Sequence, residues 1–175
     1  MQENLSSDLP PGTVLSAYGQ TLRAVSKVLA LLGGLVFIGL VLMSIVSIVG
    51  RKVASAPVPG DVELLQMCAA FASASFFAWC HLNHGDVKVD FFTQKLAEGT
   101  VRKLDAFGSL LVAVFGAAVA WRSAVGALNL LEYQETSPIL GLPVWVAQAL
   151  MVPGFVVLTL AGLYMAVRQW KGHAA

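Results

Sequence analysis

Apolar and polar positions in this chain do not alternate; they segregate. Long apolar runs, at about 24–49, 62–80, 106–131 and 142–167, are separated by short stretches that hold nearly all of the charge. The third run carries one charged residue, Arg122. A helix rises about 1.5 Å per residue, so roughly 20 apolar residues cross the hydrocarbon of a bilayer. Backbone groups inside lipid must be satisfied within their own segment, which makes each run a helix. A barrel would need alternating strands, and no such alternation is present. The pattern predicts an all-α integral membrane protein with four transmembrane helices and short interfacial amphipathic segments.

The intervening stretches divide the chain further. Residues 1–23 form a polar and interfacial N-terminal segment with Pro10 and Pro11 near its middle. Val14, Leu15, Tyr18, Leu22 and Val25 recur at helical spacing beside Arg23 and Lys27. This pattern fits a short helix lying in the interface, or a simple extension of the first span. The first cation comes late and the run behind it is too long for a signal-peptide core, so the first span is read as retained. It closes on Gly50-Arg51-Lys52, and Pro57 and Pro59 mark a loop. Asp61 then reads as the N-cap of the second helix, with Glu63 in its first turn, where the helix dipole favours negative charge. Ala70, Ala74 and Ala78 fall four apart and predict a small-residue packing seam. The polar stretch from His81 to Asp105 is expected to hold a short amphipathic piece on the membrane surface rather than a separate domain. Pro153, inside the fourth span, is expected to kink it near Ala149. Residues 168–175 form a tail, leaving 24–167 as a four-helix membrane domain.

Charge sets an orientation. Four spans place both termini on one side. That side collects Arg23, Lys27, Lys88, Lys95, Arg102, Lys103, Arg168 and Lys171, whereas the other holds Arg51 and Lys52. The positive-inside rule therefore predicts cytoplasmic termini.

Composition agrees with the membrane reading: 57% of the 175 residues are hydrophobic and 12% are charged. A net charge of +1 leaves no electrostatic footprint for nucleic acid. Cys68 and Cys80 stand about 18 Å apart along one helix and cannot bridge each other. His81, His84 and His173 fall at or beyond helix ends, which argues against a haem anchor. Asp61, Glu63, Asp86, Asp90, Glu132 and Glu135 all lie outside mid-span positions, unlike the carboxylate of a proton-coupled exporter. No catalytic motif is present, so the expectation is a protein that is not an enzyme and has no cofactor or metal of its own. Arg122 is the one intramembrane charge, and such residues are functional candidates. Its readings are a structural charge paired inside the bundle or with lipid headgroups, an ion pair holding a partner subunit, with Glu63 as a possible intramolecular counter-ion, and, least favoured, a direct contact to substrate.

Four motifs in order resemble one family. Arg51 closes the first helix, Glu63 in DVELL opens the second, the turn HGDVKVDFF containing Asp90 follows it, and Ser137-Pro-Ile-Leu-Gly-Leu-Pro-Val-Trp145 leads into the fourth. Together they resemble the small membrane subunit (DctQ type) of tripartite ATP-independent periplasmic (TRAP) transporters. One departure stands out: the His that usually precedes the Val-Asp pair by three falls on Asp86, with His84 two positions earlier. The resemblance implies a scaffold subunit in a bacterial inner membrane. Its partners would be a large membrane subunit, a periplasmic substrate-binding protein and lipids. It implies uptake of an organic acid driven by sodium, with the sodium sites in the large subunit. Together with the intramembrane Arg122, it leaves Arg51, Glu63, Arg122 and Asp90 as the candidate partner-interface or structural ion-pair residues. The competing readings are the small subunit of a tripartite tricarboxylate transporter and a membrane anchor for a non-transport complex.

Overall fold

The computed structural model describes residues 17–83, 85 and 98–170. Four helices hold most of them: α1 (Ala17–Val53), α2 (Asp61–Leu82), α3 (Glu98–Glu132) and α4 (Val144–Trp170). Each is long and apolar enough to cross a membrane. Among the described residues there is no strand, only an isolated antiparallel bridge between Thr136 and Pro143. Asp90, Asp86, His84 and His173 lie outside the described residues, as do residues 1–16 of the N-terminal segment.

The helices overrun the apolar runs that predict them. α1 has 37 residues and α3 has 35, so each spans more than 50 Å, at about 1.5 Å per residue, against a hydrocarbon core of about 30 Å. Once a helix is nucleated, each added residue gains a backbone hydrogen bond, and no proline stops α1 before its loop. The stretch from Ala17 to Val25 is therefore continuous with the first span, not a separate interfacial helix. Likewise, Glu98–Asp105 forms the first turns of α3.

The helices form an open row rather than a closed bundle. α4 packs between α2 and α3, α1 lies against α2 and also touches α4, and α3 touches α4 alone. Small residues set these contacts, because in lipid there is no hydrophobic force between helices and close approach of backbones carries the packing. A Cβ placed on Gly154 of α4 would come within 2.7 Å of the Ala74 carbonyl oxygen of α2. About two turns further along α4, one on Gly162 would come within 2.8 Å of the Ser109 carbonyl oxygen of α3. Gly33 of α1 sits equally tightly on Ala72 and Ser75 of α2. The predicted alanine seam is thus used by α4: Ala74 and Ala78 are buried there. Aromatic rings close two further contacts, Phe37 with Phe76 and Phe77 with Phe155. The outer faces of α1 and α3 are exposed Leu, Ile, Val and Phe, among them Leu35, Leu42, Phe107 and Val114.

One local expectation changes. Gly60, in the left-handed region at φ 71°, is the residue before α2, and Asp61 is the first residue of the helix rather than its N-cap. α4 runs from Val144 to Trp170 with Pro153 inside it. Proline lacks the N–H that would meet the Ala149 carbonyl.

Candidate functional site

The side-chain hydrogen bonds between elements concentrate at the end of the row where α1 and α3 finish and α2 and α4 begin. Two adjacent carboxylates of α2 organise it. Asp61 accepts hydrogen bonds from the Ser47 hydroxyl and, at 2.8 Å, from the Val62 N–H. The Arg51 guanidinium lies 3.3 Å from the same carboxylate. Ser47 in turn accepts from the Val58 N–H at 3.3 Å, so one buried hydroxyl ties α1, its loop and the start of α2 together.

Glu63 reaches the other way. Its carboxylate accepts from the Ser137 hydroxyl at 2.7 Å, the Ile139 N–H at 2.9 Å and the Leu140 N–H at 3.1 Å. The segment it grips is pinched on itself: the Ser137 N–H donates to the Leu142 carbonyl at 2.8 Å, and the Val144 N–H to the Glu135 carbonyl at 3.2 Å. Ser137 is buried, while its neighbours Pro138 and Ile139 are exposed. The Leu140 side chain occupies the space a Cβ on Gly60 would need, so glycine there meets two demands, the left-handed backbone and the close approach of the second loop. Charge-assisted bonds to backbone N–H groups suit a carboxylate that holds a loop in shape. Three of the carboxylate's lone-pair sites are thereby occupied. Among the described residues no three His, Cys, Asp or Glu side chains converge as metal ligands.

Arg122 lies elsewhere. It is exposed on α3, in a groove of about 480 Å³ that also holds Ser123, Asn129 and Gln148. Gln148 of α4 lies over Gly126, where a side chain would collide with it. Arg122 and Glu63 are not paired: Arg51–Asp61 is the one ion pair among the described residues, and Glu63 is engaged with the Ser137 loop. Thus Arg51 and Glu63 meet at the loop end of the row on neighbouring anchors, and Arg122 stands apart from them.

The opposite end has its own ties. Arg23 of α1 donates to the Asn83 side chain at the end of α2 at 2.9 Å. The Ser109 hydroxyl of α3 donates to Gln169 of α4 at 3.1 Å, both side chains being buried. Sequence reasoning did not single out Ser47, Ser109, Gln169 or Asn83 as polar ties. Their signal is general: a hydroxyl or amide inside an apolar run must find a partner.

The comparisons with known proteins fit this architecture. The family model described as tripartite ATP-independent periplasmic transporters, DctQ component, matches residues 40–172. That range takes in the Arg51–Asp61 pair, the Glu63 anchor and its loop, and the Arg122 groove. Comparison with characterised proteins and with solved structures returns no match. The match covers most of the chain and all four helices in part or whole, so this multi-pass membrane protein belongs to the DctQ family, the small membrane components of TRAP transporters.

Proposed function

We infer that the chain is the scaffold subunit that pairs with the large membrane subunit of a TRAP transporter in a bacterial inner membrane. In this reading a periplasmic binding protein delivers an organic acid, the large subunit carries it with sodium, and the small subunit holds the large one in place. Both termini are cytoplasmic, because the end of the row with Arg23, Lys27, Arg102, Lys103 and Arg168 carries the excess of cations. The Glu63 loop then faces the periplasm. The observation that carries the reading is the family match over residues 40–172. The open row supports it: helices laid side by side leave broad apolar faces, as expected of a part built to be packed against. The chain is read as a transporter component rather than an enzyme, in keeping with its family.

Affinity purification of the chain from its native membrane in mild detergent, followed by mass spectrometry, tests this. The expected result is a stoichiometric partner with many more spans. Recovery of the chain alone, or with a haem or redox protein, would overturn it.

A further inference from the structure

Arg122 raises a question of charge balance. It stands ten residues before Glu132, where α3 ends, or about 15 Å along the helix. α4 gives an independent measure. Gln148 lies over Gly126, and Arg122 is one turn deeper than Gly126. Because Gln148 is itself about one turn inside α4, Arg122 lies roughly 12 Å below the first residue of that helix. With the ends of α3 and α4 on this side taken as the membrane surface, both routes place it inside the hydrocarbon core. An arginine is always charged, and at that depth it needs an anion or a water-filled path. Among the described residues nothing bonds to it.

We propose that the groove holding Arg122, Asn129 and Gln148 receives a carboxylate carried by a transmembrane helix of the large subunit. The inference rests on the reading that such a subunit is the partner. The groove offers what a carboxylate takes: a guanidinium able to bind it in a bidentate way, and amide donors from Asn129 and Gln148 on the same wall. Ala118, one turn before Arg122, leaves the wall low enough for a helix to approach closely. A lipid phosphate is the other anion a membrane supplies, but it sits outside the hydrocarbon. An arginine at this depth reaches it only by snorkelling along its whole length. The outer face of α1, the other broad surface, carries no unpaired charge between Lys27 and Arg51 and gives no such specificity.

The test is co-purification of the large subunit with wild-type chain, Arg122→Ala and Arg122→Glu, from the same membrane and detergent. Recovery of the large subunit is expected to fall at least tenfold with both variants, while the amount of inserted small subunit stays level. Recovery with Arg122→Glu is expected to return when a membrane Asp or Glu of the large subunit is replaced by Arg. If Arg122→Ala lowers the amount of the chain itself, Arg122→Gln, which keeps the length of the stem, takes its place. A fall of less than tenfold with wild-type pairing intact overturns the inference and leaves the pairing reading standing. So does loss of a bound anionic lipid from the variants, seen by native mass spectrometry, without loss of the large subunit. Failure of the wild-type chain to recover any large subunit overturns the pairing reading and this inference together.

Discussion

Replacing Gly154 by Ala adds a single methyl group at the crossing of α2 and α4, where the geometry leaves no room for it. The new carbon would lie 2.7 Å from the Ala74 carbonyl oxygen and 2.8 Å from its carbon. Ordinary van der Waals contact starts near 3.4 Å, so the two helices must separate by roughly 0.7 Å. Forcing a methyl group into a closed interface costs about 1–3 kcal/mol. Alanine also improves helix propensity, by up to about 1 kcal/mol, which would blur a single measurement. Gly39 supplies the control, since a Cβ there meets nothing within 4 Å. Gly154→Ala is therefore expected to be less stable than Gly39→Ala by about 1–3 kcal/mol, the propensity gain cancelling between them. Unfolding in mixed micelles by a denaturing detergent, followed by circular dichroism, reads the difference. Ala74→Gly is not expected to rescue the variant, because the nearest atoms on α2 belong to the backbone. Equal stability of the two alanine variants, or full rescue by Ala74→Gly, would refute the close-approach argument.

Two further outcomes follow from the polar ties. Glu63→Ala should release the loop: hydrogen exchange at the Ile139 and Leu140 amides should rise well above wild type, with little change at α1, because those amides donate to Glu63 alone among described partners. Unchanged exchange there would mean that the loop holds itself. Ser109→Ala should cost about 1–3 kcal/mol in the same unfolding assay, the typical penalty for leaving a buried polar group unsatisfied, because it strips Gln169 of its donor. The double variant Ser109→Ala with Gln169→Leu should recover much of that loss; no recovery would place the effect elsewhere.

The four helices were legible because membrane insertion imposes one rule on every span, and that rule is written in the apolar runs. Their ends were less so: a run marks where lipid requires helix, while Ala17–Val53 and Glu98–Glu132 show helix persisting into charged turns. The order of packing was not legible at all. In a soluble protein an apolar face announces the core, but here Leu35 faces outward and Ala74 inward. Hydrophobicity therefore no longer separates the faces; residue size does, as the alanine seam of α2 showed. Glu63 was picked out by its place at a helix start, yet its partners were not, since backbone N–H groups of a loop leave no mark in sequence. Arg51 found its partner ten positions on, in Asp61, by proximity across a short loop. Arg122 was conspicuous as the one charge in its run, and the structure adds what surrounds it.

The row order carries a consequence for biosynthesis. α1 and α2 meet as neighbours in sequence and can dock as soon as both have left the translocon. α3 has no such partner among the helices already made, since it touches neither of them. It must wait in lipid until the last 27-residue helix is inserted between it and α2. Completion of the fold is thereby deferred to the end of translation, and a ribosome that stops short of α4 leaves α3 adrift in the bilayer, an unattached helix open to degradation.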